Sequence, residues 1–182
     1  MGLTMRLYQP KDGGDHLPFI HRLMEVSFPT SERRSRRDFE ALWASESRFL
    51  LYLLFFDEEI VGFLTLWQLE GFCYGEHFAI LPEMRNRGIG RETFRLLVRE
   101  IPSGMPLIFE VEPPQDEWSR RRLAFYQSLG MSILTEQYEQ PSYGEGRLAI
   151  PLYLMGNESA LQEQIPFYIQ EIYHIVYRQS VP

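Results

Sequence analysis

The residues best suited to chemistry lie in the stretch AILPEMRNRGIGRETF, residues 79–94. Apolar residues there run into a loop with two glycines, and the loop opens a helical pattern. The first N–H groups of a helix have no carbonyl partner within it, and the helix dipole adds partial positive charge beside them. Gly88 and Gly90 carry no side chain, so an anion can come close to that backbone. Arg85, Arg87 and Arg91 add guanidinium groups whose planar donors suit phosphate. The combination describes a pyrophosphate site. A dinucleotide-binding turn is one candidate, since Gly88-Ile89-Gly90 supplies its opening glycines. Glu110, 20 residues beyond Gly90, would then be the ribose-binding acid. Against it, Thr93 takes the place of the third glycine and the preceding strands form a meander instead of a βαβ unit; a Walker-type loop fails as well, since no Gly-Lys-Ser/Thr occurs.

The elements that must position this loop follow from periodicity and turn residues. Residues 3–9 form a short strand, closed by Pro10 and the Asp12-Gly13-Gly14 turn. Helical spacing predicts helices over 16–26 and over 35–44, the second with Ser35 as its N-cap. Strands at 48–56, 60–69 and 72–81 follow, separated by connections too short for anything but an antiparallel meander. The first two are apolar on both faces, which predicts helices on both sides of the sheet. A helix over 90–101 turns Phe94, Leu97, Val98 and Ile101 inward and Arg91, Arg95 and Arg99 outward. A strand over 106–112 and a helix over 116–129, stopped by Gly130, come next. Strands at 131–138 and 147–155 flank the loop QPSYGEG, and a polar-faced helix over 159–179 carries Pro166. That last helix either caps the sheet or meets a partner subunit, as in a homodimer. The expected fold is therefore a mixed α/β sheet of about seven strands, mostly antiparallel, with helices on both faces and an added C-terminal helix. One domain is expected over 1–182, with a core at about 4–155 and a helical extension at about 156–182.

Composition narrows the function. The 182 residues are 45% hydrophobic and 24% charged, an ordinary globular profile. The formal net charge of −7 argues against a general nucleic-acid binder, whose affinity rests on neutralising phosphates. Of the 18 basic residues only Lys11 is lysine, and the arginines gather at 33–37, 85–99 and 120–122. The apolar run FLLYLLFF is far too short to span a membrane, and residues 1–14 show no leader, so a cytoplasmic protein is expected. One cysteine, Cys73, excludes a disulfide framework and lacks a base partner for covalent catalysis. His16, His21, His77 and His174 show no pairing that would hold a metal.

The sequence resembles the GNAT superfamily of acyl-CoA N-acyltransferases. RNRGIG, residues 85–90, matches the family's Arg/Gln-x-x-Gly-x-Gly/Ala signature, and AILPE precedes it. The order of elements matches as well, as do Val61-Gly62-Phe63 in the meander and FYQSLGM at 125–131. The resemblance covers roughly residues 4–155. Ser119 and Arg122 depart from the Asn and Ala of many members, and Met131 from their Phe.

The resemblance implies acetyl-CoA as co-substrate, with no metal. Backbone N–H groups of Arg85, Asn86, Arg87, Gly88, Ile89, Gly90 and Arg91 would cradle its pyrophosphate. The strand edge at Phe78, Ala79 and Ile80 would pair with the pantetheine arm, and an N–H near Ile80 would polarise the thioester carbonyl. This strand and the one at 107–111 would start parallel and splay, with the thioester in the gap. Tyr126 would be the general acid for the departing thiolate, a thiol titrating near about 8.5 and a phenol near about 10; the alternative places it in the core stripe with Leu123 and Leu129. Glu76 is the first candidate general base, on the face of Phe78 and Ile80, with His77 on the opposite face. Glu110 and Glu112, sharing a face at the end of the next strand, are the others.

The acceptor would lie near residues 27–39 and 140–146, where Glu32, Glu136, Glu139 and Glu145 attract an amine and the arginines at 33–37 hold an anion. Three functions remain open. The first is an N-acetyltransferase acting on a small-molecule or peptide amine by direct attack in a ternary complex. The second is a catalytically silent acyl-CoA sensor or regulatory protein, and the third a nucleic-acid-associated protein. The first is the expectation, with neither nucleic acid nor membrane as partner.

Overall fold

The computed structural model of the chain describes residues 2–144 and 148–181. Seven strands form one sheet in the order β1-β2-β3-β4-β5-β7-β6. Two compact units divide the chain: Met1–Gln68 with Glu76–Pro102, and Leu69–Gly75 with Ser103–Pro182.

In the first unit, β1 (Leu3–Tyr8), β2 (Phe49–Phe56) and β3 (Glu59–Leu69) pair antiparallel in sequence order. The β2–β3 turn holds Asp57 and Glu58 at φ 50° and 67°, the left-handed pair that a tight hairpin with right-handed strand twist demands. Arg6 of β1 reaches the Glu58 carboxylate at 2.8 Å. β4 (Phe72–Ile80) follows β3 across the two-residue turn Glu70-Gly71. β2 and β3 are buried along most of their length, as strands apolar on both faces must be. The helices α1 (Leu17–Ser27), α2 (Arg36–Ser45) and α3 (Ile89–Glu100) complete this unit, α2 beside β2 and α3 beside β1. Ser35 caps α2 as the sequence predicts, its side chain accepting from the Asp38 N–H. Val98 departs from the expected inward set of α3. It is exposed, while Phe94, Leu97 and Ile101 are buried as expected, with Ile89 and Thr93 buried beside them. Lys11, the one lysine, sits exposed in a short 3-10 turn, Pro10–Asp12.

In the second unit, the first residues of β4 pair parallel with β5 (Leu107–Val111), joining Cys73 to Leu107, Tyr74 to Ile108 and Gly75 to Phe109. β5 pairs antiparallel with β7 (Ile150–Gly156), and β7 with β6 (Ser132–Gln140). α4 (Glu117–Gln127) lies between β5 and β6 in sequence, and Gly130 at φ 86° ends its extension. The expected start of the last strand at Arg147, and Glu145 and Gly146 of the expected acceptor loop, lie outside the described residues.

The C-terminal helix differs most from expectation. A 3-10 turn, Gln162–Gln164, leads into α5 (Ile165–Glu171), which widens into a π-helical segment, Ile172–Tyr177. Pro166 stands in the first turn of α5, where its missing N–H costs nothing. Its buried face carries Tyr168, Ile172, Tyr173, Val176 and Tyr177. Each tyrosine ring is buried like an apolar residue while its hydroxyl finds a partner.

Candidate active site

The predicted phosphate loop has the backbone its sequence requires. Asn86 and Gly88 both take left-handed conformations, φ 60° and 78°, and Gly88 is the N-cap of α3. The Glu92 N–H bonds back to the Gly88 carbonyl at 3.1 Å, so helix geometry gives Ile89 and Gly90 N–H groups no acceptor within α3. Ile89 is buried at 2% exposure and anchors the turn. The Thr93 hydroxyl donates to the Ile89 carbonyl one turn back at 2.9 Å, which is what occupies the place of a dinucleotide fold's third glycine. Arg85, Asn86, Arg87, Gly88 and Arg91 are exposed. The Arg85 Nε also donates to the Ile80 carbonyl at 3.1 Å, tying the loop to the end of β4.

Phe78, Ala79 and Ile80, predicted to pair with pantetheine, lie beyond Gly75, the last β4 residue of the parallel ladder. The Leu81 N–H bonds the Val61 carbonyl at 2.9 Å. A Cβ at Gly62 would collide with the Ala79 carbonyl oxygen, which explains the glycine in the Val61-Gly62-Phe63 match.

Glu76 is a committed group. Its side chain is 1% exposed and ion-paired with Arg34, itself 9% exposed, while Trp67 Nε1 donates to its Oε2 at 2.9 Å. Burial alone would raise its pKa, but the charge of Arg34 and the two hydrogen bonds outweigh that and hold it below the usual carboxylate range. Glu76 is thus an ionised anchor joining the segment before α2 to β4. His77, expected on the opposite face, is buried there, its Nε2 on the Glu32 carbonyl at 2.8 Å and its ring edge-on to Phe28. Even so, its Nδ1 stays 3.9 Å from Glu76 Oε2. Burial, the largest influence, lowers its pKa and favours the neutral ring. The arginine run is spent on structure too: Arg36 grips Glu25 at 2.7 Å, and the Arg33 Nε donates to the Phe28 carbonyl at 3.2 Å.

The second unit holds Tyr126 and Glu110. Tyr126 stands on α4 against Phe109 of β5, ring centroids 4.5 Å apart. Burial pushes its phenol up to about 12, so the hydroxyl keeps its proton throughout the neutral range. Both departures from the family pattern on this helix have local causes. Ser119 closes a capping box with Asp116, each side chain bonding the other's N–H at 2.7 and 3.0 Å. Arg122 pairs with Glu112. That pairing separates Glu112 from Glu110, which were expected to share a face: β5 ends at Val111, so strand alternation no longer governs Glu112.

Glu110 instead meets tyrosines. Tyr138 of β6 donates to its Oε1, and the Tyr177 hydroxyl lies 3.1 and 2.9 Å from its two oxygens. Phe109 and Glu110 are consecutive on β5, so Glu110 faces away from the side that Phe109 shares with Tyr126. Arg34, Trp67, Tyr138 and Tyr177 are the residues that sequence reading missed. Only Arg34 carried a signal, as part of the arginine run.

Cys73 is fully buried, and burial lifts its thiol to about 11. Native protein should therefore resist alkylation at neutral pH, while denatured protein takes up one equivalent, counted by mass spectrometry. Among the described residues no group of three or more His, Cys, Asp or Glu could hold a metal ion, and no helix is long and apolar enough to cross a membrane.

A mixed sheet whose fourth and fifth strands begin parallel, with a glycine turn opening the helix after β4, defines an acyl-CoA transferase architecture. Residues 17–131 match the profile of the acetyltransferase (GNAT) family, and the chain belongs to that family. A solved GNAT-family structure from Bacteroides thetaiotaomicron is 31% identical, covers 96% of this chain and 98% of its own, and superposes with a TM-score of 0.88. The ribosomal-protein-S18-alanine N-acetyltransferase of Escherichia coli shares the fold at 20% identity and TM-score 0.63, covering 88% of this chain and 96% of its own. A GNAT acetyltransferase from Elizabethkingia anophelis with acetyl-CoA bound does so at 17% and 0.60, covering 86% and 97%. No curated protein sequence matches the chain. The family uses acetyl-CoA as its acyl donor.

Proposed function

We propose that the chain is a cytoplasmic N-acetyltransferase, residues 1–182 acting as one acyltransferase domain, that acetylates a primary amine by direct attack. The amine is that of a small molecule or a peptide. The observation that carries the reading is the turn from Asn86 to Gly90. Two left-handed residues there, the helix-start N–H groups that follow them and the exposed arginines around them support a diphosphate site.

In the reaction the amine lone pair forms a C–N bond to the acetyl carbon, and the C–S bond breaks with its electron pair on sulfur. An ammonium acceptor gives up two protons overall. Tyr126 supplies the departing sulfur with a hydrogen bond and, as the thiol forms, its proton. Because its phenol titrates at about 12, well above a free thiol, it shares that proton more than it surrenders it. Glu110 takes the base role, since Glu76 is an ionised anchor held by Arg34. Phe78, Ala79 and Ile80 bind pantetheine, and residues 85–91 bind the diphosphate.

The test is an amine-library screen with acetyl-CoA that follows thiol release, beside calorimetry of coenzyme A. Binding with release for one class of amines is expected. Binding without release from any amine would make the chain a sensor, and absence of binding would remove the diphosphate reading itself.

A further inference from the structure

We infer that Tyr138 and Tyr177 are positioning residues for Glu110, so that the C-terminal π-helical segment is part of the catalytic machinery. The inference rests on the reading of Glu110 as the general base. A glutamate side chain has several rotatable bonds, and a base that wanders by an ångström loses much of its advantage. Here the carboxylate is held from two elements distant in sequence. Tyr177 spans both oxygens at 3.1 and 2.9 Å, and Tyr138 adds a bond to Oε1. Both phenols are buried, at 8% and 5% exposure.

The Tyr177 hydroxyl lies 3.2 Å from that of Tyr74 and 3.4 Å from that of Tyr143. Tyr173, one helical turn before Tyr177, donates to the Glu139 carbonyl at 2.5 Å and so fixes the segment to β6 without bonding Glu110. The titratable groups facing Glu110 are thus Tyr74 from β4, Tyr138 from β6, Tyr143 from the loop after it, and Tyr173 and Tyr177 from the π-helical segment, with Glu139 nearby on β6. Burial and the Glu110 charge hold Tyr138 and Tyr177 well above the ordinary phenol range, so they stay protonated donors. The widened turn fits this role, since π-helical turns occur frequently at functional sites.

Donors to a carboxylate favour its charged form, so removing one raises the pH at which it becomes a base. With the best amine from the screen, Tyr177→Phe should leave the acetyl-CoA KM unchanged and lower kcat about tenfold. It should also move the acid limb of the kcat/KM profile up by about one pH unit. Tyr138→Phe should act in the same direction, which keeps the test open should one variant fold poorly. Tyr168→Phe, which removes a buried phenol from α5 ahead of the π-helical segment and no bond to Glu110, should leave the acid limb in place. Both Glu110-bonded variants showing the wild-type acid limb while Glu110→Gln is inactive would overturn the positioning role alone. Glu110→Gln turning over at the wild-type rate would overturn the base reading, and the inference with it.

Discussion

Replacing Tyr126 with Phe is expected to lower kcat about a hundredfold and to leave acetyl-CoA affinity within about twofold. The ring contact with Phe109 at 4.5 Å survives the change, so what is lost is one hydroxyl and its proton. Positioned acids contribute between about 10²- and 10⁴-fold, and the low end is expected because, on the proposed role, a phenol titrating at about 12 would share its proton with sulfur more than transfer it. Its titration at about 12 also means that Tyr126 itself adds no alkaline limb to the rate profile until the pH approaches that value. Steady-state kinetics with the screened amine, beside calorimetry of coenzyme A, reads both quantities. Equal turnover by Y126F would return Tyr126 to the core stripe of α4.

The second large effect is on stability. Glu76→Gln leaves the Arg34 guanidinium charged, 9% exposed and without its carboxylate. Breaking one half of a buried pair costs about 3–5 kcal/mol, and a chain of this size loses roughly 2–4 °C of Tm per kcal/mol, so a drop of roughly 10 °C is expected by calorimetry. Substituting Arg34→Met and Glu76→Leu together removes both charges and should recover most of that loss. The native pKa of Glu76 lies below its unfolded value of 4.5, so its contribution is complete above that value and disappears as pH falls through the native one. His77 runs in the same direction. Its native pKa is lowered from 6.5, so the unfolded chain binds the proton first and stability begins to fall below about 6.5. Were E76Q to keep its Tm and lose turnover instead, Glu76 would be the base after all.

Particular residues show where sequence was sufficient. Ser35 before α2, Gly88 before α3 and Gly130 after α4 are local signals, and local backbone chemistry places them where the periodic patterns end. The meander was legible because two- and three-residue connections leave strands no other route. What was not legible depends on partners far apart in the chain. Nothing near Glu76 announces Arg34, 42 residues away, and nothing near Glu110 announces Tyr177, 67 residues away. A carboxylate's role follows from what surrounds it, and periodicity says nothing of pairings at that separation. For the same reason the sequence left open whether the last helix caps the sheet or meets a partner subunit: the groups its tyrosines bond lie far away in the chain.

The near absence of lysine bears on how the protein tolerates its own donor. Thioesters acylate exposed amines without any enzyme, and a surface rich in lysine would collect such adducts. Here Lys11, on its 3-10 turn, is the one side-chain ammonium in reach, since guanidinium groups stay protonated and unreactive. Prolonged incubation with the donor should therefore leave a nearly uniform intact mass, and any acyl group appearing on a supplied amine reports turnover with little background from the protein itself.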